Sequence, residues 1–313
     1  MHYVIGDIHG CYDEMMKLLK NIESKDPDAI IYFLGDFIDR GPDVIKVLSW
    51  VIENVTPDGK YQCVLGNHED MVLTWWNQVK NDWTDDSDDI IESLEKIHYG
   101  FDEKLKAAGL FKRAYLEKVV AFFQSLPLRI DLKVTSSSGK VVDFTVAHAY
   151  LPDSEPKENP RHTYLWSREH FWGFRNGNRI LVHGHTPTHD FDYLLRNSSG
   201  RPGMIVYSNN AINVDGGCCY FPVKGDCCPC MLCGICLETL EEFYSDTLEG
   251  RFLAYMEQFD NETLQVFGPE RCVKYKMDTY NEDIQQHSRG NNDPFYYKRK
   301  MLKKYGMEKC EDE

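Results

Sequence analysis

Three short apolar runs set the limits on this fold: HYVIG (2–6), AIIYFLG (29–35) and YQCVLG (61–66), each ending in glycine followed by Asp or Asn. Runs this short and this apolar read as buried strands that feed loops at their carboxyl ends. Between them, Met15, Leu18, Leu19 and Ile22, then Val44, Val47, Leu48 and Val51, fall at helical spacing. The order βαβαβ calls for parallel strands joined by right-handed crossovers.

Further along, residues 71–126 are helical in character (WWNQVKNDW, IIESLEKIHYG, YLEKVVAFFQSL). Asp82 to Glu92 holds six acidic residues and no basic ones, which reads as a solvated loop and helix start. Strand patterns return in LRIDLKV (128–134), VVDFTVAH (141–148), RILVHGH (179–185), MIVYS (204–208) and INVDGG (212–217), with SSSG (136–139) as a hairpin turn and Asp153 to Pro160 as a polar loop. Beyond Leu240 the pattern weakens, and KRKMLKKYGMEKCEDE reads as a short exposed helix.

Charge narrows the function classes. Lys plus Arg number 35 against 50 Asp plus Glu, a formal −15, which argues against a dedicated nucleic-acid binder. It leaves a phosphate substrate open, because metal ions reverse the sign of a site locally. The longest uncharged apolar run, Cys227 to Leu237, is too short to span a bilayer, so no membrane partner is expected. The opening MHYVIGDIHG is no secretory signal, and a cytoplasmic location is expected. Seven of eleven cysteines crowd between Cys218 and Cys236.

Five motifs carry the chemistry: GDIHG (6–10), GDFIDRG (35–41), GNHED (66–70), AHAY (147–150) and HGHTP (183–187). Each joins glycine or alanine to Asp, Asn or His near a strand end. Strand ends are rigid and can converge on one point. Carboxylate, amide and imidazole donors together suit manganese, iron or zinc rather than calcium.

GDIHG, GDFIDRGPD, GNHED and HGHTP closely resemble the signature blocks of the phosphoprotein phosphatase family of binuclear metallophosphoesterases, in its bacterial and phage form. The resemblance spans about residues 1–240 and implies an α/β, calcineurin-like fold, a central two-sheet β-sandwich flanked by helices. Residues 71–126 would be a helical insert forming one wall, and 241–313 a C-terminal appendage. The resemblance implies two divalent ions, manganese first, with iron or zinc as alternatives. Asp7 and His9 would bind the first ion, Asp36 would bridge both, and Asn67, His148 and His185 would bind the second. Asp39 and His68 resemble the family's Asp–His pair, with His68 as general acid. Arg40, and Arg168 in LWSR, resemble phosphate-holding arginines, and Asn67 also faces substrate. His183 matches no family ligand.

The chemistry expected is direct attack on phosphorus by a metal-bridging hydroxide, with no phosphoenzyme. The leading function is serine/threonine protein phosphatase, acting on a phosphoprotein or small phosphorylated substrate. The competing enzymatic reading is a dinucleoside polyphosphate (diadenosine tetraphosphate) hydrolase; a non-catalytic phosphate-binding scaffold is the reading from another class. Cys227, Cys230, Cys233 and Cys236 form C-x2-C-x2-C-x2-C, read first as thiols in a C-terminal hairpin, then as a structural zinc site, and last as an iron–sulfur ligand set.

Overall fold

A computed structural model describes residues 1–83, 100–150, 160–168, 179–189, 198–222, 228–287 and 295–307. Strands β1 (His2–Ile5), β2 (Ile30–Phe33) and β3 (Tyr61–Cys63) are joined by helices α1 (Tyr12–Lys25) and α2 (Val44–Asn54). β1 pairs parallel with β2, and β2 with β3, as the βαβαβ pattern demands. β1 and β2 are mostly apolar because both of their faces are buried beyond the first residue, and β3 at the edge is less covered. Tyr3 and Ile5 join the core beneath the helices, whereas Val4 points to the opposite face, following the two-residue alternation of a strand. The expected side chains of α1 and α2 are the ones buried. Each such aliphatic side chain contributes roughly 1.5–3 kcal/mol of burial free energy.

Three more helices, α3 (Asn67–Val79), α4 (Phe101–Ala107) and α5 (Arg113–Ser125), close over that first core through Val72, Trp75, Trp76, Phe101, Leu116 and Phe123. The chain then builds a second sheet. β4 (Arg129–Thr135) and β5 (Val141–Ala147) form a hairpin across 136–140. After α6 (Pro160–Trp166) follow β6 (Ile180–His183), β7 (Ser198–Gly200), β8 (Val206–Ser208) and β9 (Ala211–Asn213). β10 (Cys233–Cys236) and β11 (Glu242–Tyr244) return to the first sheet. The first sheet is ordered β11-β10-β1-β2-β3, the second β4-β5-β6-β9-β8-β7. Both are mixed, and they share a core made by Val4, Tyr32 and Ile235 from one and Phe144, Val182 and Ile212 from the other. The expected α/β two-sheet sandwich is therefore present. No helix among the described residues is long and apolar enough to cross a membrane.

The C-terminal part departs from the expected appendage. Helices α7 (Leu248–Phe259), α8 (Asn261–Phe267) and α9 (Pro269–His287) form a helical layer of their own, but β11 and α10 (Tyr296–Tyr305) are integral to the sandwich. Met301, Tyr305 and Met307 are buried in the core between the sheets. Lys298 donates to Glu242 at 2.6 Å, and Tyr207 donates to the same carboxylate at 2.7 Å. The helix looked exposed because its few apolar anchors stand among lysines. The acidic stretch beyond Trp83, the 153–159 part of the polar loop, and Cys227 and Cys310 lie outside the described residues, whereas Pro160 begins α6.

Truncating Met301 to Ala should cost about 2–5 kcal/mol, the usual range for a fully buried methionine, read as a lower midpoint in urea denaturation. A helix merely tethered to the sandwich would leave the midpoint unchanged.

Candidate metal centre

The loops at the carboxyl ends of β1, β2, β3, β5 and β6 deliver Asp7 and His9, Asp36, Asn67 and His68, His148, and His185 to one place. The backbone there is strained: His9, Asp36, Asp39, Arg40 and His185 all take positive φ, between 44° and 69°. Side-chain-bearing residues seldom adopt this region, and such strain gathers where geometry serves function. Two glycines allow the close approach. A Cβ on Gly66 would strike the backbone and carboxylate of Asp36, and one on Gly184 would strike the Asp7 carboxylate.

The donors and acceptors do not balance without cations. The Nδ1–H of His9 donates to the Ile38 carbonyl, and that of His148 to the Leu34 carbonyl, each at 2.8 Å. Burial pushes the pKa of both rings down, that of His9 to about 4. Both are then neutral, with an Nε2 lone pair 3.4 Å (His9) and 3.6 Å (His148) from Asp36 Oδ2. Asn67 Oδ1 lies 2.8 Å from His148 Nε2 and 2.9 Å from His185 Nδ1. Asp7 Oδ1 and His185 Nε2 are buried without a hydrogen-bond partner. Burial, then Asp215 and Asp36, push the Asp7 pKa well up. Lone pairs that converge on carboxylates repel one another unless positive charge lies between them, so the donor set fits divalent cations. Two groups have ligand atoms within 4.8 Å of one another, His9–Asp36–His68 and Asp7–Asp36–His148, and Asp36 belongs to both.

His68 falls into the first group by distance alone, but its hydrogen bonding sets it apart. Its Nδ1 lies 2.5 Å from Asp39 Oδ2, and Asp39 is wholly buried. Burial disfavours charge on the ring, yet Asp36 and the Asp39 hydrogen bond outweigh it and raise the pKa. Arg40 reaches within 3.3 Å of His68 Nε2 and hydrogen-bonds the Tyr220 hydroxyl. Arg168 lies on the other side, donating to the His185 carbonyl at 3.2 Å and to Thr186 Oγ1 at 2.8 Å. His183 ends β6 outside both groups, buried, with Nδ1 3.2 Å from the Gly184 carbonyl.

Three residues escaped the sequence analysis. Glu69 accepts the backbone N–H groups of Asp36 and Phe37, both at 2.8 Å, and so holds the left-handed turn that aims Asp36. Its place in GNHED was visible, but its action on a neighbouring loop was not. Asp215, in NVDGG, is a further buried carboxylate, its pKa pushed up to about 7, by burial first. Tyr220 is the third, contacting Arg40.

The proposed zinc site of Cys227, Cys230, Cys233 and Cys236 is corrected. Cys233 and Cys236 lie three apart on β10, and residues three apart on a strand face opposite ways. Cys233 enters the core between the sheets and Cys236 the core beneath the helices.

The fold and this centre are those of a metallophosphoesterase: the chain belongs to the calcineurin-like phosphoesterase family, which it matches over residues 3–212, and it is an enzyme of that family. It is 29% identical to serine/threonine-protein phosphatase 1 of Salmonella typhimurium over 59% of this chain and 78% of that one. It is 41% identical to the symmetrical bis(5'-nucleosyl)-tetraphosphatase of Wigglesworthia glossinidia brevipalpis, over 54% of this chain and 59% of the relative. With the asymmetrical bis(5'-nucleosyl)-tetraphosphatase PrpE of Halalkalibacterium halodurans it shares 27% identity, over 69% and 85% of the two chains.

Replacing Glu69 with Gln removes one of two carboxylate acceptors that fix Asp36. Divalent-ion affinity should fall about 10–100-fold, as for other residues that orient ligands, measured by calorimetric titration of metal-stripped protein. Equal affinity would show that the turn at Asp36 holds without Glu69.

Proposed function

We propose that the chain is a divalent-metal-dependent phosphoric monoester hydrolase that acts as a serine/threonine protein phosphatase. The observation that carries this reading is the buried Asp39–His68 pair at 2.5 Å beside Asp36. Asp7, His9 and Asp36 would hold one ion, and Asp36, Asn67, His148 and His185 the other, with manganese the first candidate and iron or zinc next. When bound, such ions supply Lewis acidity toward phosphoryl oxygens and an activated water at neutral pH.

The remaining work falls to the chain itself. Arg40 and Arg168 flank the centre and can pair with non-bridging phosphoryl oxygens, where charge develops in the transition state. Asn67, at the start of α3, faces the same space. A serine or threonine alkoxide is a poor leaving group and needs a proton as it departs. Asp39 fixes the His68 ring through Nδ1–H, which directs Nε2–H toward the reacting centre, and favours the charged, proton-donating form. No side chain in this set is needed as a covalent carrier, so hydrolysis is direct. The likeness to the Salmonella phosphatase supports the protein substrate. The nine described cysteines are free thiols, which fits a cytoplasmic setting.

The two tetraphosphatase relatives favour a second reading, hydrolysis of dinucleoside tetraphosphates. There the departing oxygen belongs to a phosphate and is far less basic, so it depends less on an acid. A phosphate-binding scaffold is disfavoured, because a scaffold has no use for a buried acid pair.

His68→Asn should leave metal content intact and lower turnover of a phosphothreonine peptide by about 10²–10⁴-fold, the range for losing a general acid, while an activated aryl phosphate suffers much less. Wild-type turnover of that peptide beside diadenosine tetraphosphate ranks the two readings. Equal losses on peptide and aryl phosphate would remove His68 from the acid role.

A further inference from the structure

β4 ends the six-stranded sheet, and its one strand neighbour among the described residues is β5. Among the described residues, β4 and β5 are the longest strands, at seven residues each. An edge of this length, with no further strand on it among the described residues, presents a row of backbone N–H and C=O groups that can pair with another strand. Its side chains alternate. Ile130, Leu132 and Val134 point toward the core between the sheets, yet only Val134 is fully buried there, and Ile130 and Leu132 are half-covered. Asp131, Lys133 and Thr135 are exposed on the other face. A cavity of about 280 Å³ opens at the same edge, walled by Val55, Phe122, Leu126, Pro127 and Ile130.

The sequence of this edge complements its own reverse. When β4 is turned about Leu132, Arg129 stands opposite Thr135, Ile130 opposite Val134, Asp131 opposite Lys133, and Leu132 opposite itself. Opposite charges directly across an antiparallel pair are favourable, and like charges unfavourable. A two-fold axis applies each pairing twice, because an isologous contact uses the same patch on both partners. Asp131 already accepts from Arg179 at 2.9 Å and from Thr145 at 2.5 Å, both through Oδ1. A carboxylate offers about four acceptor sites, so a lysine from outside can be added. On the inner face, the same pairing sets Ile130 and Leu132 against aliphatic side chains of the second strand and covers what this chain leaves half open.

We propose that β4 is a homodimer interface, in which two copies pair antiparallel about a two-fold axis at Leu132 and join their second sheets into one. The occupant is a second copy rather than an unrelated strand because charge and apolar pattern both match under one reversal. The opposite edge of the sheet, β7, is only three residues long, so the contact closes as a dimer and does not propagate.

The test is sedimentation equilibrium on the full chain. Wild type should dimerise. Lys133→Asp and Asp131→Lys each set like charges across the axis twice and should weaken dimerisation about tenfold or more. In a mixed pair the acquired aspartate faces the acquired lysine and native Asp131 faces native Lys133, so the mixture should form a heterodimer. Circular dichroism and turnover, both unchanged, would establish that each variant is folded. A monomeric wild type overturns the proposal, as do single variants that dimerise like wild type, or a mixture that stays monomeric.

Discussion

The Asp36 carboxylate is the interaction around which the rest of the molecule is organised. It lies at the end of β2, and the imidazoles of His9, His68 and His148 point at a single one of its oxygens, between 3.4 and 3.9 Å away. Burial alone would neutralise such a carboxyl. Only positive charge facing that oxygen, on the rings or on bound cations, outweighs burial and draws its pKa below the usual range. Each ring is in turn fixed from behind, by the Ile38 carbonyl, by Asp39 and by the Leu34 carbonyl. The arrangement concentrates negative charge and lone pairs where a protein interior tolerates them least, which is why it fits divalent cations and why the chain can be acidic overall and still present a site for phosphate.

Holding that arrangement requires rigid backbone on every side. Parallel strands buried on both faces supply it, and the left-handed turns at His9, Asp36 and His185 swing side chains back over the strand ends. Glu69 shows how far the support extends, because its carboxylate comes from the start of α3 and holds the peptide of another loop that aims Asp36. Positional accuracy here is a property of the sandwich as a whole, and the loops inherit it.

Much of this was legible in the sequence. Apolar runs ending in Gly-Asp or Gly-Asn gave the βαβαβ order, since only strands buried on both faces are apolar without alternation. The motifs stood out because Asp, Asn and His recur at strand ends, and the resemblance to the phosphoprotein phosphatase blocks then pointed to Asp7, His9, Asp36, Asn67, His148 and His185. Residues that act across the chain were harder to read. Glu69 and Asp215 work through backbone groups, and nothing in a linear pattern marks which N–H a carboxylate will meet. The cysteine run read first as thiols in a hairpin, which β10 and β11 supply, and second as a shared ion, which strand alternation opposes by sending Cys233 and Cys236 to opposite faces. In α10, Met301 and Tyr305 anchor a helix whose remaining surface is lysine-rich, so mean polarity masked its burial.

The pairing of β1 with β10 constrains how the molecule comes into being. Tyr3, Val4 and Ile5 hydrogen-bond between β2 on one side and residues 234–236 on the other. β1 is thus flanked on one side by a strand that lies far along the chain, and the core between the sheets closes only when Met301, Tyr305 and Met307 arrive. Contacts of such sequence separation form late and slowly. A growing chain therefore carries the Asp7, Asp36 and His68 loops before it has β10 and α10, and the alignment of those loops waits on segments made much later.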